Sequence, residues 1–196
     1  SYLLFNFFIA IYLFFQENVI IKLSEKFRDY LEFLGENPGA DGLDIGLPEW
    51  QRAVGGLGNG KVHMIIATNK TGKSQVGIRA AFLIGRFLPV LIVDTEMTEQ
   101  DVMLRLTSML TKVPMTIIKD GNWKDVGHPD YKWGSTIQQG INDLEKLNIE
   151  YLSARGKSVK DIVPAMRRWV TQNKVSSDGK FPKGLIVYGY LKLTSY

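Results

Sequence analysis

Residues Val62-His63-Met64-Ile65-Ile66 form a short apolar run that passes straight into Ala67-Thr68-Asn69-Lys70-Thr71-Gly72-Lys73-Ser74, and residues 72–87 then carry helical spacing. A strand feeding a glycine-lysine loop that opens a helix predicts a βα unit with the loop at the strand's carboxyl end. The residue types in that loop suit a polyphosphate. Such a ligand carries several negative charges and needs many donors at close range, which the loop N–H groups and the positive end of the following helix supply. Gly72 lets the backbone approach without a side chain in the way. Lys73 brings an ammonium to the terminal phosphates, and the Ser74 hydroxyl suits a magnesium ion. Ala67 stands where such loops usually begin with glycine, and its small side chain still fits. Ala67, Thr68, Asn69, Lys70, Thr71, Gly72, Lys73 and Ser74 are therefore the candidate nucleotide-binding residues.

The remainder of the chain continues the alternation. Val90-Leu91-Ile92-Val93 reads as a second buried strand. Thr98 with Asp101 forms a capping box, and Val102, Leu106, Met109 and Leu110 form the apolar face of the helix it opens. Residues 135–147 are expected to be helical and 149–152 to form a short strand. Ser158 with Asp161 makes a second capping box, ahead of a helix faced by Val159, Ile162, Val163, Met166, Trp169 and Val170. Leu185-Ile186-Val187-Tyr188 is a last apolar strand. Strands alternating with helices imply parallel pairing, and continuously apolar strands imply cover on both faces. The expected class is an α/β P-loop nucleoside triphosphatase core, a mostly parallel sheet with helices on both sides.

The N-terminal part differs. Residues 2–15 are apolar except for Asn6, too short a run for a transmembrane helix and without the basic flank of a signal peptide. A buried strand or helix, or a surface that docks on another subunit, is expected instead, with no stable membrane anchoring. Ile20, Leu23, Phe27, Tyr30, Leu31 and Leu34 recur at helical spacing, and residues 35–42 hold three glycines and a proline, as a linker does. The chain thus divides into an apolar arm with a helix, residues 1–40, and a main domain, residues 41–196.

Its 196 residues contain no cysteine, which excludes disulfides, thiolate metal sites and cysteine nucleophiles. His63 and His128 lie too far apart for a helix-borne metal motif; His63 is expected to be structural and His128 solvated. A formal charge of +4 permits a polyanionic partner without demanding one. Trp123 and Trp133 suit packing beneath a loop or stacking on bases.

The second strand ends in Asp94-Thr95-Glu96-Met97. Ligands of parallel α/β sheets sit at the carboxyl ends of strands, so Asp94 and Glu96 share a crevice with the phosphate loop. Hydrolysis needs a group that orients or deprotonates water, a role open to Glu96. Asp94 is a candidate metal ligand beside Ser74. From spacing alone, both carboxylates serve equally well as caps of the helix that follows.

Gly46-Leu47-Pro48-Glu49-Trp50 and Gly55-Gly56-Leu57-Gly58-Asn59-Gly60, ahead of the loop strand, resemble the approach to the RecA-like ATPase domain of replicative DnaB-type helicases. Asp94-Thr95-Glu96-Met97-Thr98-Glu99-Gln100 with Arg105-Leu106 looks like that family's segment around its catalytic glutamate. Arg167-Arg168 and Leu185-Ile186-Val187-Tyr188-Gly189-Tyr190-Leu191-Lys192-Leu193 resemble its Walker B region. The likeness covers roughly residues 43 to 196. It implies a RecA-like core, ATP and Mg2+ as cofactors, Lys73 and Glu96 in catalysis, a ring hexamer of identical subunits moving along single-stranded DNA, and a cytoplasmic setting in a bacterium or phage-infected cell. A helix near residues 20–34 would dock on a neighbouring subunit. Other RecA-like ATPases, a recombinase or a KaiC-type clock protein, share part of this pattern.

Two departures bear on function. The family has a magnesium-holding aspartate where Gly189 stands, which raises a non-catalytic nucleotide-binding role as the alternative. The sheet is also expected to be incomplete at the C-terminus. In the family, the strand between the loop strand and the Walker B strand comes from sequence beyond that region. The resemblance therefore leaves a slot in the sheet, and residues 2–15 or another chain are expected to cover or fill it.

Overall fold

A computed structural model describes residues 6–14, 23–36, 42–58, 61–68, 70–173 and 183–191. Asn69, most of the expected linker and the segment after 191 lie outside them. In chain order the elements are β1 Asn6–Phe14, α1 Leu23–Glu36, β2 Gly42–Leu43, α2 Pro48–Val54, β3 Leu57–Gly58, β4 Val62–Ala67, α3 Lys73–Ile84 and β5 Val90–Asp94. They continue with α4 Glu99–Thr111, α5 Met115–Asp120, two 3-10 turns at Asn122–Lys124 and Pro129–Trp133, α6 Gly134–Leu144, β6 Ile149–Ser153, α7 Val159–Gln172 and β7 Lys183–Leu191.

Five strands form the main sheet in the order β4-β1-β7-β5-β6. β5 pairs in parallel with β6 and with β7, whereas β1 runs antiparallel to both its neighbours. Four strands therefore point the same way, and the fifth, from the N-terminal apolar arm, lies reversed among them. The register sets Phe8 opposite Ile65 on one side and opposite Gly189 on the other. The slot expected between the loop strand and the last strand is thus filled by this chain's own residues 6–14. A strand inside a sheet must satisfy its N–H and C=O groups on both edges. An apolar run with a single polar residue suits that setting, and its two flanking partners make it a strand rather than a helix.

The core lies on the two faces of β5 and β7. Alternate residues of a strand point to opposite sides. Val90, Ile92, Leu185 and Val187 accordingly meet Ile78, Ala81, Phe82 and Ile84 of α3 and Val102 and Leu106 of α4. On the other side Leu91, Val93 and Ile186 meet Ile162 and Trp169 of α7. Each such side chain contributes about 1.5–3 kcal/mol when removed from water. Both capping boxes form as expected, Thr98 with Asp101 and Ser158 with Asp161.

β4 departs from expectation. Its unbroken apolar sequence reads as a strand covered on both faces, yet Val62, Met64 and Ile66 are exposed and only the Ile65 side packs on the core. α7 covers β5 and β7, so cover on that face does not reach β4. The short hairpin β2–β3 with α2 packs beside α3, where Arg79 donates from Nε to the Ile45 carbonyl at 3.0 Å and from a terminal nitrogen to the Gly46 carbonyl at 2.8 Å.

His63 is structural: its Nε2 accepts from the Gly58 N–H at 2.9 Å. His128 is half-buried rather than solvated, with Nδ1 accepting from Asp130 N–H at the start of the second 3-10 turn. Trp123 and Trp133 are half-buried within the turns, Trp123 donating to the Ile118 carbonyl and each ring lying under a lysine, Lys124 and Lys132 respectively. No helix among the described residues is long and apolar enough to cross a membrane.

Candidate functional site

The loop after β4 has the backbone its sequence demands. Gly72 sits at the N-cap of α3 with φ 97°, a left-handed conformation that disfavours any side chain, and a Cβ built there would meet nothing within 4 Å. Glycine is required here for conformation as well as for open approach. Lys70 is also left-handed, at φ 61°. The Thr71 hydroxyl donates to the Thr68 carbonyl at 2.7 Å and tightens the turn. Lys73 is half-buried, and its ammonium donates to the Ala67 carbonyl at 2.9 Å and to the Thr68 carbonyl. Thr68, Lys70, Thr71, Gly72 and Ser74 are exposed, while Ala67 is half-buried at the end of β4, paired with Asn6 of β1.

The carboxylates lie at the end of β5. Asp94 is buried at 4% exposure, and its Oδ1 accepts from the N–H groups of Glu96 at 2.7 Å and Met97 at 2.6 Å. Burial pushes its carboxyl above the usual range, the two N–H donors opposing that shift. Glu96 is exposed, on a loop held from several directions. The Thr95 N–H donates to the Gly189 carbonyl at 2.9 Å, the Arg155 guanidinium donates to the Glu96 carbonyl, and the Tyr151 hydroxyl donates to the Met97 carbonyl at 2.7 Å. Arg105 of α4 reaches Gln75 of α3, joining the helix that follows Glu96 to the helix that opens at the phosphate loop.

Asp94 and Gly189 are directly paired on β5 and β7. The position that carries a carboxylate in the resembled motif therefore lies beside Asp94, and glycine offers no ligand there. β4 and β5 are separated by two strands, about 14 Å between strand axes at the usual spacing. Ser74 and the carboxylates thus approach one crevice from two sides of the sheet's carboxyl edge.

The residues fit a polyphosphate: an open left-handed glycine, a lysine resting on loop carbonyls and the N-terminus of the 12-residue helix α3 converge on one spot. The fit to a cation is thinner. Ser74 offers a hydroxyl, one Asp94 oxygen is engaged by backbone donors, and no group of three or more His, Asp or Glu among the described residues is placed to hold a metal. A cation here would depend mainly on oxygens the ligand brings. Arg155 and Tyr151 were not foreseen from the sequence. They follow β5 by more than fifty residues, and only the β5–β6 pairing brings them under the Glu96 loop.

Comparison with known proteins agrees with this architecture. No curated protein sequence matches the chain. Among solved structures, an isolated ATPase domain superposes with a TM-score of 0.60 at 17% identity, covering 79% of this chain and 54% of that one. A DnaB-like replicative helicase, solved to describe its interactions with primase, superposes with a TM-score of 0.58 at 18% identity, covering 81% of this chain and 38% of that one. The chain therefore spans roughly half or less of the proteins it resembles, and at these identities the likeness establishes a shared RecA-like fold. The profile of the DnaB-like helicase C terminal domain matches residues 42–195. That match takes in the phosphate loop, the Glu96 loop and β7 alike, and the chain belongs to the DnaB-like helicase C-terminal domain family.

Proposed function

We propose that this chain is the ATP-binding module of a DnaB-like replicative helicase, using Mg2+ and coupling nucleotide turnover to movement along single-stranded DNA. The observation that carries the proposal is the phosphate loop itself, with left-handed Gly72 opening α3 and Lys73 resting on the Ala67 and Thr68 carbonyls. In this reading Lys73 exchanges those carbonyls for phosphate oxygens, gaining charge-assisted hydrogen bonds in place of neutral ones. The backbone N–H groups of residues 67–74 hold the phosphates, and Ser74 and Asp94 stand nearest a cation. Bound Mg2+ would neutralise charge developing on the phosphates. Glu96 orients and deprotonates the attacking water from a loop that cannot drift. Residues 1–40 are proposed as an arm whose strand completes the 41–196 ATPase domain. The working assembly is a homo-oligomeric ring in the cytoplasm.

A specific observation favours a second reading. Gly189 stands beside Asp94, so the site binds nucleotide without the second carboxylate that supports turnover. Titrating the protein with ATP and Mg2+, wild type against Lys73→Ala, with hydrolysis followed in parallel, decides between them. A loss of affinity of at least tenfold in the variant, with hydrolysis by the wild type that single-stranded DNA stimulates, supports the first reading. The same loss without hydrolysis supports the second, and unchanged affinity in Lys73→Ala refutes both.

A further inference from the structure

We propose that Arg155 and Tyr151 are positioning residues for Glu96, acting through the backbone of the loop between β5 and α4. The inference rests on the ATPase reading above.

Glu96 is exposed at the tip of a short connection and lies outside both β5 and α4. A catalytic carboxylate must be held to within a fraction of an ångström, because a misplacement of about 1 Å can cost a hundredfold in rate. The elements that lead into and out of the loop do not by themselves supply that precision. The loop's donors are held: Thr95 N–H binds the Gly189 carbonyl, and the N–H groups of Glu96 and Met97 bind Asp94. Two successive carbonyls, those of Glu96 and Met97, face β6, where Arg155 and Tyr151 donate to them.

These two donors come from one short stretch at the end of β6, fixed to β5 by the parallel pairing of Leu152 with Val93 and Ser153 with Asp94. The Ala154 N–H extends the same attachment by donating to the Asp94 carbonyl at 2.8 Å. The bracket is therefore as rigid as the sheet. Arg155 is exposed and packs in neither core cluster, so its hydrogen bond to Glu96 is its evident structural contact. Burial raises the Tyr151 phenol pKa, which keeps it a proton donor through the neutral range.

The test is steady-state ATP hydrolysis by the full chain, comparing wild type with Arg155→Gln, Arg155→Lys, Tyr151→Phe, Glu96→Gln and the Arg155→Gln/Glu96→Gln double variant. Arg155→Gln is expected to lower kcat about tenfold with KM for ATP within about twofold, since the loop supports turnover and not phosphate binding. Arg155→Lys should recover part of the loss. Once Glu96 is Gln, removing Arg155 should cost nothing further, because the two act as one unit. Tyr151→Phe removes a single hydroxyl and should show the same split on a smaller scale, which keeps the test decisive if Arg155→Gln folds poorly. Unchanged kcat, a rise in KM alone, or fully additive losses in the double variant would overturn the positioning role and leave the ATPase reading standing. A wild-type chain that binds ATP and never hydrolyses it would overturn the turnover reading, and the positioning role with it.

Discussion

Replacing Gly189 by aspartate sets a second carboxylate beside Asp94. The two positions are paired in register on parallel neighbours, so their side chains share a face about 5 Å apart. Asp94 is 4% exposed, and burial already holds its carboxyl above the usual range. At an effective dielectric constant of about 20, two unit charges at that spacing repel by about 3 kcal/mol. Gly189→Asn has nearly the same shape without the charge, so the difference between the two variants isolates the Coulomb effect. Urea unfolding at pH 7 without metal should find the aspartate variant less stable than the asparagine variant by about 1–3 kcal/mol. The pair's carboxyl pKa is raised in the fold, so the deficit exists above that raised value and closes as pH falls through it toward the unfolded value near 4. Mg2+ with nucleotide should also close it, by placing positive charge between the carboxylates, and hydrolysis should rise above that of the wild type. Equal stability of the two variants from pH 4 to 8 would refute the placement of Gly189 beside Asp94.

Three further expectations follow from packing and pairing. In Ala10→Pro the ring removes an N–H from the middle of a strand paired on both sides, opposite His63 and Val187, and the variant should lose about 3 kcal/mol or more in denaturant titration. A Cβ at Gly140 would lie 2.2 Å from Thr111 Cγ2 where α6 meets α4, so Gly140→Ala should lower the melting temperature at a cost of about 1–3 kcal/mol, and Thr111→Ser should restore most of it. Burial, then the charge of Lys61, lowers the His63 pKa. The neutral ring that accepts from Gly58 is thus favoured in the fold, and the stability it contributes is complete above about pH 6.5 and declines as pH falls through the lowered value. His63→Gln, which keeps an acceptor and cannot titrate, should flatten that decline in a melting series from pH 7.5 to 5.

The elements legible from sequence were those whose instructions are local. The loop of residues 67–74 follows an apolar strand and opens α3 where Gly72 demands it, and the two capping boxes mark the starts of α4 and α7 within a residue. β5 was unambiguous because all five of its residues are buried. α2 and α5 were overlooked, being six or seven residues long, although Pro48 and Pro114 at their starts are signals of helix entry. The exposed face of β4 was not legible either: Val62, Met64 and Ile66 carry the same apolar character whether or not a helix lies over them. The N-terminal run read equally as strand or helix until its partners were known, since a run without alternation has no period to report. Around Glu96, the residues of the loop itself were evident, but Tyr151 and Arg155 were not. Their relation to it exists only through the register of β5 against β6.

The reversed central strand also governs when this protein can fold. β1 pairs with β7 between residues roughly 180 apart in sequence, and those contacts carry a large loop-closure cost before they yield any stability. At about 5–20 residues per second, a ribosome needs roughly 9–36 s to make the chain between them. Throughout that interval the run 6–14 is synthesised and apolar, without the strand that will flank it on one side. A newly made chain is therefore most prone to aggregate before β7 emerges, and its yield in the cell should depend on chaperone supply more steeply than its equilibrium stability would suggest.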